Sequence, residues 1–212
     1  NNKELKKTLF ELDTQLGVLF KGIEKTGLPV NIIIVSDHGM STVPISKFIP
    51  IEKIENDSLY TNINNGTIIN IHPNDKNQIN LIYTYLKKKE SNFKVYKTEN
   101  TPGFEYIPKN KNWGAIQILP DFGYYFSTTE EIISKKKDTN TNFGVHGYNQ
   151  KHKEMHGIFY ANGPAFKKAY LTPSIKNIHI YPLMCEILGL DIPSNIDGDL
   201  DQIKSVLKPR SN

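Results

Sequence analysis

One stretch constrains this chain more than any other: Val30 to Met40, reading VNIIIVSDHGM. Asn31 aside, Val30 to Val35 is a run of β-branched apolar residues, the composition of a strand buried on both faces of a parallel sheet. The run ends in Ser36-Asp37-His38-Gly39-Met40, where a carboxylate and an imidazole sit side by side and a glycine lets the chain turn. The carboxyl ends of strands in open α/β sheets are where ligands bind. Asp and His are also oxygen and nitrogen donors for zinc, and neighbours at a strand end can face one ion. The plainer reading of the same pair, with Asp37 capping a turn and His38 a solvated loop residue, stands beside it.

Upstream, Leu5, Leu9, Leu12, Leu16, Leu19 or Phe20, and Ile23 recur at steps of three and four, which predicts an amphipathic helix over 3–25. Gly27 and Pro29 end it. A helix feeding a strand is the unit that builds α/β sheets, so the helix is expected to cover the sheet that carries Asp37. Residues 41–50, punctuated by Pro44 and Pro50, read as loop. A smaller α/β segment follows, at about residues 60–135. Its strands are expected at 67–71 and 93–96, with a helix over 75–89 whose Ile79, Ile82, Tyr83 and Leu86 form an apolar face. Residues 104–107 and 115–126 read as β, broken by Pro120 and Gly123. His72 reads as a strand-end residue, and Tyr124, Tyr125 and Phe126 read either as packing or as the lining of a pocket for a flat substrate.

A second chemistry-bearing cluster runs over 142–168. Gly144 and Gly147 flank His146, whose imidazole therefore rides on a backbone free to bend around an ion. Residues 158–161 read as another buried strand, turned by Asn162-Gly163-Pro164. His152 and His156, in a polar connector and beside a strand start, read as ordinary surface or packing histidines. Toward the end, Asn177 is a candidate cap for a helix over 179–188 that Gly189 stops, and residues 200–207 read as a short terminal helix. Asp197 and Asp199 sit in a turn without the spaced acidic ligands of an EF-hand.

Length and composition set outer bounds. The 212 residues suffice for a real core, and a net charge of +4 with average apolar content describes a soluble globular chain. No apolar run approaches the ~20 residues of a membrane span, and residues 1–4 do not resemble a signal peptide. The absence of a starting methionine suggests a chain that begins inside a longer protein. The single cysteine, Cys185, is read as excluding an internal disulfide and any cysteine-based zinc site, and as a buried, inert thiol. The lysine runs 87–89 and 135–137 lack interleaved aromatics and read as solvated faces, so no nucleic-acid-binding surface is expected.

Several motifs occur together and in order: Ser36-Asp37-His38-Gly39-Met40, His146-Gly147-Tyr148, Met155 with Ile158-Phe159, Gly163-Pro164 with Phe166-Lys167, Tyr181-Pro182-Leu183-Met184-Cys185, Leu188-Gly189-Leu190 and Asp197-Gly198. In this the chain resembles the nucleotide pyrophosphatase/phosphodiesterase (type I phosphodiesterase) family of the alkaline phosphatase superfamily, over nearly its whole length. Its low cysteine count is similar to the bacterial branch.

The resemblance implies an α/β fold with a mostly parallel central sheet flanked by helices, carrying the small α/β insertion. It implies residues 1–212 as the C-terminal portion of one catalytic domain whose N-terminal portion is absent from this chain. The implied activity is hydrolysis of phosphodiester or pyrophosphate bonds at a site of two zinc ions, with other divalent metals admissible at oxygen and nitrogen donors. Asp37 and His38 would hold the zinc that activates the nucleophile, and His146 the other. The nucleophile and remaining ligands would lie upstream, so this chain has no catalytic residue of its own and is expected to be inactive alone. The substrate would be a small phosphodiester of nucleotide type, with its contacts unassigned, and the location periplasmic or extracellular. Two departures stand out: Asn149 where the family often has an acidic residue, and Glu105 or Tyr106 where it often has histidine. The alternatives are a related phosphomonoesterase or phosphonate hydrolase, or a non-catalytic metal-binding fragment.

Overall fold

The computed structural model describes residues 2–104, 110–137 and 141–209. In chain order the elements are α1 (Asn2–Lys25), β1 (Ile32–Val35), β2 (Ser41–Pro44), β3 (Phe48–Pro50), β4 (Tyr60–Asn64), β5 (Ile69–Pro73), α2 (Ile79–Lys87), β6 (Phe93–Lys97), β7 (Ile116–Pro120), β8 (Tyr125–Ser127), α3 (Thr129–Lys136), β9 (Asn142–Val145), β10 (Phe159–Asn162) and α4 (Ile180–Leu188). They fall into two compact units, one holding residues 2–37 and 157–212, the other residues 38–156.

In the first unit, β1 pairs with β10, antiparallel, with Ile32 opposite Asn162 and Val35 opposite Phe159. This corrects the expectation of a strand buried between parallel neighbours. Ile32 to Ile34 are only half buried and Val35 is exposed, because β10 is the sole ladder partner of β1 among the described residues. Ile33, Phe159 and Ala161 pack with Ile180, Leu183 and Ile187 of α4 and with Ile203 and Val206. Gly189 ends α4 in the left-handed conformation, φ 68°, while Leu190 N–H donates to Cys185 O at 2.9 Å. Cys185 is buried and unpaired with another cysteine.

Two local expectations differ here. Asn177 begins a 3-10 turn rather than capping α4, and residues 200–207 form two short 3-10 turns instead of one helix. Asp199 accepts from Asp201 N at 2.9 Å and so caps the first of those turns.

Helix α1 follows the predicted bounds, but its stripe does not cover the sheet as expected. Leu16, Phe20 and Ile23 are half buried, whereas Leu5, Leu9, Leu12 and Leu19 are each more than half exposed. Periodicity makes one face apolar; which part of it is buried depends on what stands opposite.

The second unit contains a four-stranded antiparallel sheet in the order β4-β5-β7-β6. One face carries Ile69, Ile71, Phe93, Val95, Ile116 and Ile118, all essentially inaccessible, packed with Ile82 and Leu86 of α2. The predicted helix over 75–89 is therefore present but shorter, its first turn being a 3-10 turn capped by Asp75, which accepts from Asn77 N at 2.9 Å. Of the β stretch expected at 104–107, residues 105–107 lie outside the described residues.

The loop expected over 41–50 is instead largely strand. β2 pairs antiparallel with β9, and β3 pairs parallel with β8. Proline is tolerated at Pro44 and Pro50 because each ends its strand. Tyr125 packs against Phe48, with ring centroids 5.1 Å apart, and Phe126 is in the core, so both are packing residues. Helix α3 was not anticipated. Its start is legible in Thr128-Thr129-Glu130-Glu131, where the Thr128 hydroxyl accepts from Glu131 N at 3.1 Å.

The end of α2 is tied to β6 by Glu90, whose Oε1 accepts from Lys87 Nζ and from Val95 N, each at 2.7 Å. Partial burial pushes the Glu90 carboxyl up, but the Lys87 ammonium and the Val95 N–H outweigh it and hold the group below its ordinary value. A depressed carboxyl contributes stability that is present above its unfolded pKa, about 4.3, and lost as pH falls through the lower folded value. Glu90→Gln is expected to cost about 0.5–1 kcal/mol at pH 7, a small figure because water screens the partly exposed Lys87. The difference from wild type should shrink toward zero in denaturation curves taken at successively lower pH below about 4.

Candidate metal centre

Three residues carry the expected metal chemistry, and the ladder β2·β9 brings two of them together. Ser41 pairs with Val145. His38 lies three residues before Ser41 and His146 one residue after Val145, so both imidazoles emerge at the same end of the ladder. Their rings stack with centroids 4.0 Å apart and planes 17° from parallel. His38 is half buried and His146 exposed.

Each histidine is held by its backbone. Gly39 N–H donates to Met155 O at 3.0 Å, and a Cβ on Gly39 would lie closer to Glu154 O than any real Cβ approaches. Only glycine lets the chain after His38 run this near the 154–156 backbone. On the other side, Gly147 has φ 94° and passes against the Thr67 side chain. The Thr67 hydroxyl donates to His146 O at 3.2 Å. Tyr148, nearly buried, anchors the segment by donating from its hydroxyl to Tyr124 O at 2.7 Å. Burial pushes its phenol well above the ordinary range, so it stays a neutral donor.

The His38 ring has a defined tautomer. Its Nδ1 lies 2.8 Å from Gly39 O, and since a carbonyl only accepts, Nδ1 carries the proton. The lone pair then belongs to Nε2, the state in which imidazole ligates a metal. Two nearly parallel rings 4.0 Å apart cannot aim their lone pairs at one point between them. They can each serve one ion of a pair, because ions in two-metal sites stand about 3.5–4 Å apart.

Asp37 is exposed and joined to His38 through the chain; it closes the first unit as His38 opens the second. Among the described residues, no three His, Cys, Asp or Glu side chains converge as a metal site would require. The other histidines belong elsewhere. His152 stacks on Phe122 with centroids 4.0 Å apart, the His156 ring lies 3.1 Å from Gln150 O, and His72 lies in β5. Asn149, noted as a departure, donates from its amide to Pro102 O at 3.2 Å and accepts from Lys151 N at 2.9 Å, which makes it a loop-bracing residue. Thr67 and Met155 were invisible as site supports, since each acts through a backbone contact that no local spacing announces.

Residues 1–149 match the type I phosphodiesterase / nucleotide pyrophosphatase family, and the chain belongs to it. It is 30% identical over 203 residues to bis(5'-adenosyl)-triphosphatase enpp4 of Xenopus laevis, covering 94% of this chain and 42% of that protein. It is 28% identical over 218 residues to ectonucleotide pyrophosphatase/phosphodiesterase family member 7 of Mus musculus, covering 99% and 48%. Among solved structures, human ectonucleotide pyrophosphatase/phosphodiesterase 5 superposes with a TM-score of 0.82 at 26% identity, covering 99% of this chain and 54% of that one. An inactive variant of the murine protein in complex with AMP gives 0.81 at 27%. The fold is thus the mixed α/β, alkaline-phosphatase-like one, and this chain spans about half the length of the relatives it matches. No helix among the described residues is long and apolar enough to cross a membrane.

Proposed function

We propose that this chain supplies His38, His146 and Asp37 to a two-zinc centre that hydrolyses phosphodiester or pyrophosphate bonds of nucleotide-type substrates. The observation that carries the reading is the pair of stacked imidazoles 4.0 Å apart at the end of one ladder, in a member of this family. Zinc bound there would lower the pKa of an attacking hydroxyl and offset charge developing on the phosphoryl oxygens. His38 keeps its proton on Nδ1 and its lone pair on Nε2; His146 is followed by Gly147, whose positive φ fits the turn against Thr67. Asp37 adds a carboxylate beside His38. A zinc ion wants three or four protein ligands, so the remaining donors and the nucleophile come from outside these residues, in the N-terminal portion of the same domain. On this reading residues 1–212 are the C-terminal portion of that domain and residues 60–135 or so its insertion.

A nucleotide-type substrate is supported by the AMP bound to the murine neighbour and by the diadenosine triphosphatase named among the relatives. A location outside the cytoplasm, extracellular or periplasmic, is supported by relatives named ectonucleotide enzymes. The bacterial source rests on the single cysteine alone. The lack of a third converging donor among the described residues keeps the non-catalytic fragment as the second reading.

Hydrolysis of a chromogenic nucleotide phosphodiester, measured with and without chelator, tests the proposal. The full-length protein should turn over only with metal, and the 212-residue chain alone should be silent. Chelator-insensitive turnover, or faster cleavage of a chromogenic monoester than of the diester, would overturn it.

A further inference from the structure

The four-stranded sheet has a second face, opposite the one packed on α2, and it is built differently. Ile63, Asn70, Gln117 and Tyr96 form one row across β4, β5, β7 and β6. Over this face lies a cleft of about 450 Å³ walled by Ile63, Ile68, Phe104 and Trp113, with Asn70 and Gln117 at its floor. That volume is in the range of small-molecule sites. None of the described residues lining it is charged.

Its floor is chemically unfinished. Gln117 is 1% exposed and Asn70 7%, and Gln117 Nε2 donates to Asn70 Oδ1 at 2.9 Å. The other end of the same carboxamide, Oε1, accepts no hydrogen bond from any described residue. Buried acceptors are almost always satisfied, and one left over in a native fold calls for a specific partner. Two carboxamides would be an unusual choice for the centre of a sheet if the face only had to pack, since the opposite faces of the same two strands place Ile69, Ile71, Ile116 and Ile118 there.

We infer that this cleft is a binding site for a neutral, flat heteroaromatic molecule bearing an N–H donor, with Gln117 Oε1 accepting that hydrogen and Trp113 and Phe104 covering the ring. Each element follows from the lining. The described lining offers no charge to pair with an ion; two aromatic walls favour a flat ring; and an acceptor at the floor requires a donor. The described residues that line the cleft carry no metal-binding side chain, and its ligand needs no phosphate.

Trp113 is the only tryptophan of these 212 residues, so its emission, isolated as the difference between the full-length protein and its Trp113→Phe variant, reports on the cleft. The test uses the full-length protein in excess chelator, with 9-methyladenine, whose amine is its sole N–H donor, and 9-methylpurine, which has none. A saturable change in Trp113 emission with 9-methyladenine, confirmed by calorimetry, and at least about tenfold weaker binding of 9-methylpurine are expected. Gln117→Leu should remove that discrimination. Phe104→Ala, at a partly exposed wall where folding is not at stake, should weaken both ligands with the melting temperature unchanged. Absence of both heat and fluorescence change, or equal affinity for the two compounds, would overturn the inference. Failure of diester hydrolysis would leave it standing, since the chelator has already removed metal from the assay.

Discussion

His146→Ala in the full-length protein is expected to lower metal-dependent diester hydrolysis by about 1,000-fold or more, roughly 4 kcal/mol of transition-state stabilisation. The ring is exposed and its only described ring contact is the stack with His38, so the melting temperature of the metal-free protein should hardly move. His38→Ala and Asp37→Ala should give comparable losses, with bound zinc falling by one ion per protein in each variant. The measurements are turnover of a chromogenic diester and metal content after dialysis. A non-catalytic fragment predicts the opposite: Asp37→Ala would leave activity and stability untouched, and that result would remove the two-zinc assignment.

Gly39→Ala should be strongly destabilising. The new Cβ meets Glu154 O and His156 O, both backbone atoms that cannot rotate away, on a residue whose N–H is committed to Met155 O. Relief requires the 154–156 turn to separate from the chain after His38, at a cost of about 2–3 kcal/mol. Such a shift also moves His38 off the His146 ring, so zinc binding should fall together with the denaturation midpoint. Gly17→Ala is the matched control: apart from the neighbouring helix backbone, nothing lies within 4 Å of its added methyl, it is in the middle of α1, and it should stabilise by about 0.5–1 kcal/mol.

Much of the local structure was legible because it is encoded locally. The 3–25 helix, α4 with its glycine stop, and the strands at 93–97 and 159–162 each announce themselves by periodicity or by a terminating residue. The short strands β2 and β9 did not. Four residues with a proline in one and a glycine in the other carry too little pattern, and their strand character comes from pairing with each other across the chain. Helix α1 shows the same limit from the other side: its stripe was correct, yet most of its leucines lie exposed.

The same division runs through the candidate site. The sequence by itself determined the donor types, their placement at the end of a strand and between two glycines, and, through ordered motifs, the family. Only the tertiary structure decided that His38 and His146 stack, that Nδ1 of His38 is the protonated nitrogen, and that Gly39 and Gly147 are required by Glu154 and Thr67. The reason is physical: a residue type and its neighbours follow from short-range chemistry, whereas which donors meet depends on ladder register between segments far apart in the chain. A shift of one residue in the β2·β9 pairing would carry the two imidazoles apart.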